Sequence, residues 1–129
     1  MNGLVHAALP RLSRARLAAL PAAVARPAWA LDAVRIGIVH FGPGAFHRAH
    51  QAAFIDDLLA SHPEWAISAV SLHNPAVSAA LRPQDGLYTL ARLAAGGGDL
   101  RVLGAIREWL HAPSEPAAVL ARLADPGVR

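Results

Sequence analysis

Two glycines, Gly42 and Gly44, stand between an apolar run from Val34 to Phe41 and a helix-forming run that begins at Ala45. Glycine accepts the backbone angles of a tight turn, and the first turn of a helix presents N–H groups without intrahelical acceptors beside the positive end of the helix dipole. That combination attracts an anion, and a pyrophosphate is the anion that strand-turn-helix seats of this kind hold. In Gly42-Pro-Gly-Ala-Phe-His47, however, His47 occupies the position where the full dinucleotide fingerprint has its third small residue. Two glycines at this spacing also serve simply to turn a strand into a helix, and spacing alone does not separate the two readings.

A dinucleotide seat needs a further partner for the adenosine ribose, often an acid about 20 residues past the glycines at the end of the second strand. Here that stretch reads Ser71-Leu-His-Asn-Pro-Ala76 and contains no acid. Asn74 offers an amide to a ribose hydroxyl, and His73 or Arg82 offers positive charge to a 2′-phosphate. Asn74 equally suits a helix cap and Arg82 a solvated surface position. His47 and His50, three residues apart with Asp57 two turns further on, are the beginnings of a metal site and no more. Zinc takes three or four ligands, Cys is absent, and no second His-x-x-His or His-Glu-x-x-His pattern supplies the rest, so no metal is expected.

The elements that must position these groups are readable from apolar patterning. Ile36, Ile38, Val39 and Phe41 predict a short buried strand, and residues 45–60 predict a helix whose small residues at 45, 49, 52 and 53 let it lie close on a sheet before His62-Pro63 stops it. Residues 66–72 predict the second strand, and Asn74-Pro75 opens a short helix through Ala80. Residues 86–94 and 100–106 are strand-like, separated by a flexible turn at Gly96-Gly-Gly-Asp99, and a last helix runs from Ser114 to Leu123. This alternation is that of an α/β protein. The expected fold is a partial, doubly wound Rossmann-type sheet, with residues 1–33 as an N-terminal helix and strap and residues 34–129 as the first part of the nucleotide-binding domain.

Composition restricts the function classes. Hydrophobic residues make up 54% and charged residues 16% of the 129. No apolar run approaches the roughly 20 residues of a spanning helix, so no membrane segment is expected. Net charge is only +3, and the Arg side chains are scattered among acids without the aromatic interleaving of single-strand binders, which argues against a nucleic-acid partner. All 12 basic residues are Arg. With no Cys there is neither a disulfide frame nor a thiolate metal site, which fits a cytoplasmic protein. The N-terminal segment has two readings: Arg11, Arg14 and Arg16 before a run rich in Ala suit a targeting sequence, while the plainer reading is an amphipathic helix over 11–19 followed by a Pro-stiffened strap.

The block Gly42-Pro-Gly-Ala-Phe-His-Arg-Ala-His-Gln51 resembles the amino-terminal signature of the polyol-specific long-chain dehydrogenases, the mannitol dehydrogenase and fructuronate reductase family. Leu20 to Trp29, Trp65 to Leu72, Gly86 to Leu90 and Arg101 to Ile106 follow in family order, so the resemblance covers residues 20–129. It implies an enzyme that moves a hydride between NAD, or NADP, and a sugar alcohol, keto-sugar or hexonate. It also implies a cofactor set of Gly42, Pro43, Gly44, Ala45, Phe46, His47, Arg48 and Asn74, and no catalytic residue within these 129. Family members are long two-domain enzymes whose general base is a Lys of the carboxy-terminal domain, so this chain is expected to hold the cofactor-binding part alone. Where NAD is preferred the family places an acid close to Ala76, and the departure here leaves NAD against NADP open. The alternative function is a catalytically inactive nucleotide-binding or interaction module that keeps the fold. A further parallel strand would follow in the family, so the first strand is expected to stand as an apolar edge.

Overall fold

The structure, a computed structural model, describes residues 9–129. Of the expected N-terminal segment 1–33, residues 1–8 lie outside the described residues. Six strands and four helices follow in the order β1 (Val24–Ala25), β2 (Ile36–Phe41), α1 (Ala45–Ala49), α2 (Gln51–Leu58), β3 (Ala66–Ser71), α3 (Ala76–Leu81), β4 (Tyr88–Ala94), β5 (Gly97–Leu103), β6 (Ile106–His111) and α4 (Pro116–Leu123). They form two sheets, a parallel one in the order β2-β3-β6 and a second in the order β1-β5-β4.

Burial differs sharply between the first two parallel strands. β3 has a neighbour on each side and all six of its residues are buried, whereas β2 pairs only with β3 and is mostly half-buried. The expectation of a buried first strand is therefore corrected: Phe41 is 45% exposed, because an edge strand is covered along one side only. Its partial cover on the other side comes from the last residues of the chain, where the Arg129 N–H donates to the Gly37 carbonyl at 2.9 Å and the guanidinium lies 5.3 Å above the Trp65 ring. Gly37 is itself required, since a Cβ there would sit 2.1 Å from the Glu64 carbonyl oxygen.

Strand register divides the side chains between two faces, which makes the sheet doubly wound. Ile38, Ile67, Ala69 and Trp109 join the larger core with Ala52 and Leu59 of the α2 region, and Val39, Val70 and Leu110 meet Val119 of α4 on the other side. Each fully buried aliphatic side chain of this kind contributes about 1.5–3 kcal/mol. Ser68 of β3 and Glu108 of β6, on the α4 side, form a polar tie: Ser68 Oγ donates to Glu108 Oε1 at 2.6 Å, and Arg122 of α4 donates to both Glu108 oxygens at 2.9 Å.

Four other expectations are changed. The helix expected over 45–60 breaks at His50, whose backbone angles (φ −119°, ψ −79°) separate α1 from α2. The glycine-rich stretch 96–99 is largely strand, with Gly97, Gly98 and Asp99 pairing Ala94, Leu93 and Arg92, because glycine permits the close antiparallel approach of the two chains. The apolar run through Ile106 is two strands: β5 ends at Leu103 and a third parallel strand, β6, begins at Ile106. Arg107 and Glu108 conceal β6 in the sequence, since charge inside an otherwise apolar run reads as a boundary. Finally, residues 14–19 form a 3-10 helix with no buried side chain rather than an amphipathic α-helix over 11–19.

The strap beyond it is held by specific contacts. β1 pairs in parallel with β5, and the indole N–H of Trp29 donates to the Asp56 carbonyl oxygen at 3.1 Å. No helix among the described residues is long and apolar enough to cross a membrane.

Candidate functional site

Because β2 and β3 run parallel, their C-terminal ends open on the same side, at Phe41 and Ser71. This is the end of a parallel sheet where α/β proteins bind ligands. The chain leaves β2 through Gly42, whose φ of +82° is a left-handed conformation that a side chain would strain. Its N–H remains tied to the Val70 carbonyl at 2.9 Å, and the Gly44 N–H closes the turn on the Gly42 carbonyl at 2.8 Å. Gly44 then precedes α1 in extended conformation and no side chain caps the helix. The first-turn amides of α1 are thus left without intrahelical acceptors.

Above this turn lies a groove of about 380 Å³, with Gly42, Pro43 and Gly44 on one side and His73, Asn74 and Val77 on the other. A Cβ built on Gly42 or Gly44 meets nothing within 4 Å. The backbone here therefore faces open space that a ligand can approach closely. Among the described residues no Asp or Glu lines the groove.

The eight sequence-derived cofactor residues fall into two groups. Gly42, Pro43, Gly44 and Asn74 line the groove, while Ala45, Phe46, His47 and Arg48 carry the chain away from it along α1. Asn74 Oδ1 accepts the Ala76 N–H at 2.9 Å, so its carbonyl is engaged in a local turn and its amide NH₂ is what it can present to a ligand. Phe46 is 77% exposed and stacks on His50 at 4.2 Å between ring centroids. Arg82, a sequence candidate for a 2′-phosphate, lies away from the groove. Its Nε donates to the Trp109 carbonyl at 2.6 Å and it pairs with Glu115.

His47 is 6% exposed, and its ring lies 3.5 Å from that of His40 with planes 6° apart. Its Nδ1–H donates to Gln51 Oε1 at 2.9 Å, leaving Nε2 as a buried lone pair without a partner among the described residues. Burial first, and the neighbouring His40 second, hold the His47 pKa down at about 4, so the ring is neutral at pH 7. The Tyr88 hydroxyl donates to the Arg48 carbonyl at 2.7 Å, and burial pushes its pKa up. Sequence reasoning missed His40, although it shares the alternation of Ile36 and Ile38 and so belongs to the face that α1 covers. It missed Gln51 too, which lies one helical turn beyond His47. Among the described residues no group of three or more His, Cys, Asp or Glu is placed to hold a metal.

Residues 36–128 match the family model for the mannitol dehydrogenase Rossmann domain. The chain is 41% identical to the polyol:NADP oxidoreductase of Gluconobacter oxydans over 92% of its own length and 25% of that enzyme's. It is 44% identical to the mannitol 2-dehydrogenase of Pyrenophora tritici-repentis over 80% of its length and 19% of the relative's. Among solved structures, it superposes on Pseudomonas fluorescens mannitol 2-dehydrogenase, in ternary complex with NAD and D-mannitol, with a TM-score of 0.88 at 35% identity, over 93% of this chain and 25% of that one. A D-sorbitol dehydrogenase in substrate-free form gives a TM-score of 0.83 at 40% identity, over 92% and 25% of the respective chains. The 129 residues thus span about a fifth to a quarter of the length of these relatives.

Proposed function

Since the chain belongs to the mannitol dehydrogenase family, as its Rossmann domain, we propose that the groove between the Gly42–Gly44 turn and the His73–Asn74 loop binds a nicotinamide dinucleotide, NAD in the first instance. The observation that carries this reading is the open backbone of the glycine turn at the C-terminal ends of β2 and β3. The pyrophosphate would lie against Gly42, Pro43 and Gly44 and take hydrogen bonds from the first-turn amides of Ala45, Phe46 and His47. The Asn74 NH₂ would donate to a ribose hydroxyl. His47 and Arg48 then serve from beneath, His47 by packing α1 on β2 and Arg48 through its carbonyl bond to Tyr88.

In the whole protein a dinucleotide held in the groove would supply the hydride acceptor for a secondary alcohol, or in reverse the hydride donor to the corresponding ketone, the substrate being a sugar alcohol or hexonate of the mannitol/fructose or mannonate/fructuronate type. This chain contributes cofactor binding and orientation to that reaction. The buried imidazole of His47 does not line the groove, and with its pKa held down at about 4 its Nε2 is too weak a base to take the alcohol's proton. We expect the 129-residue chain to turn over neither mannitol nor fructose with either cofactor. Robust turnover that vanishes in His47→Ala or His50→Ala would reverse that assignment.

A second reading concerns the cofactor. With Ala76 where the family's NAD enzymes are expected to carry an acid, and no carboxylate lining the groove, nothing charged opposes a 2′-phosphate there, which favours acceptance of NADP as well. Calorimetric titration of NAD and NADP into the chain and its Gly44→Val variant tests the main proposal. Binding that weakens tenfold or more in the variant supports the groove, whereas equal heats for both proteins remove it.

A further inference from the structure

The loop that forms one wall of the groove is poorly anchored from within. Leu72, His73, Asn74 and Pro75 are all exposed, and the Asn74–Ala76 turn is a bond between near neighbours, which shapes the loop without fixing it to the sheet. The anchor comes from the adjacent strand. At the end of β6, His111 is in register with Ser71, and its Nε2 lies 2.9 Å from the His73 carbonyl oxygen. A carbonyl only accepts, so Nε2 carries the proton. Nδ1 lies 2.7 Å from Ser114 Oγ, whose hydroxyl donates to it when the ring is neutral. If the ring is protonated, Nδ1–H donates instead, and the hydroxyl has the His111 carbonyl available at 3.4 Å. The bond to His73 is made in both states.

His111 is in turn fixed by its own backbone. Its N–H donates to Glu115 Oε2 at 2.9 Å, and its carbonyl accepts the Glu115 N–H at 2.9 Å. Glu115 is also the partner of Arg82. A chain of contacts therefore runs from α4's N-terminal cap through β6 to the groove wall.

We propose that His111 is a positioning residue for the dinucleotide: its Nε2–H, by holding the His73 carbonyl, sets the distance between the His73–Asn74 wall and the glycine turn. The proposal rests on the groove reading above. His111 itself does not line the groove, so its effect passes through the loop.

Three variants separate this role from general support of the fold. In His111→Gln the amide NH₂ reaches the place of Nε2 and keeps the donor to His73, in His111→Asn the amide reaches only as far as Nδ1, and His111→Leu has no donor. Dissociation constants for NAD and NADP, measured on the 129-residue chain beside its thermal midpoint, should be within about twofold of wild type for Gln. They should be about five- to tenfold weaker for Asn and Leu, the range one net hydrogen bond supplies. The amide resonance of Asn74 should shift in Asn and Leu and stay in place in Gln. Equal dissociation constants across the three variants, with wild type binding normally, overturn the positioning role alone. Failure of wild type itself to bind either cofactor overturns the groove reading and this proposal together. Should Leu fail to fold, the Gln and Asn pair still decides the matter, since rescue by Gln over Asn is not what a bulk packing role produces.

Discussion

The groove at Gly42–Gly44 and the junction around Asp56 use polar groups in opposite ways. Asp56 is 4% exposed, and its carboxylate accepts the Gly104 N–H at 2.7 Å, Arg101 at 3.3 Å and the Trp29 indole at 3.4 Å. Those bonds join the strap, α2 and the second sheet, so each of these donors is already spent on a protein acceptor. At the groove the first-turn amides of α1 and the Asn74 NH₂ are unengaged, and the backbone faces space. Polar groups consumed by one another make structure, and polar groups held in place but unspent make a binding site.

The largest expected effect lies at the junction. Asp56→Ala leaves the buried Gly104 N–H without its acceptor, while Arg101 keeps its 2.6 Å pair with Asp57, and should destabilise the chain by about 2–3 kcal/mol, lowering the thermal midpoint by roughly 10 °C. Asp56→Asn, which keeps an oxygen for Gly104, should lose less. Burial pushes the Asp56 carboxyl above its ordinary 3.8, against the Gly104 and Arg101 contacts that pull it down. The folded state thus holds this proton more tightly than the unfolded state. The contribution of that proton to stability is complete below 3.8 and fades as pH rises through the raised folded value. If Asp56→Ala melts like wild type, the contrast between the two regions is lost.

Within the groove the two glycines should behave differently from each other. Gly42→Ala forces a side chain into a left-handed conformation and should cost about 1–2 kcal/mol of stability, read from denaturant midpoints. Gly44→Ala, at φ −72° with nothing within 4 Å of its Cβ, should leave the midpoint unchanged and act on cofactor binding alone. Equal stability losses at both positions would mean that Gly44 is structural and that the seat is not open.

The His40–His47 stack beneath the groove gives the comparison a pH signature. With its pKa lowered from 6.5 to about 4, His47 resists protonation when folded and accepts it when unfolded. Stability conferred by the neutral ring is present above 6.5 and drains away as pH falls from there towards about 4. In His47→Gln the stability curve should be flatter over that window. An unchanged slope would show that the ring is already solvated.

The smallest effect expected is one of preference. Ala76→Asp places a carboxylate beside the wall formed by His73 and Asn74, and should raise the ratio of NAD to NADP affinity several-fold by accepting from the ribose hydroxyls and repelling a 2′-phosphate. A constant ratio would mean that residue 76, the first of α3, does not face the adenosine end.

Much of this molecule is present in its local patterns. The strand ending at Phe41, the turn at Gly42 and Gly44, the second strand and the short helix after Asn74-Pro75 are readable because apolar period, glycine and proline act over a few residues. The block from Gly42 to Gln51 is specific enough by itself to point to the family that residues 36–128 match. Tertiary structure decided what depends on partners distant in the chain. Glu108 becomes a strand residue because Ser68, 40 positions earlier, and Arg122, 14 later, satisfy its charge. Arg82 is turned from the groove by a carbonyl 27 residues away, and His73 is held by an imidazole 38 residues away. Sequence patterning registers how apolar a position is and how its backbone bends. Whether a charged or polar side chain is spent on the fold or left for a ligand depends on which acceptors and donors the packed sheet brings within about 3 Å, and no local period encodes that.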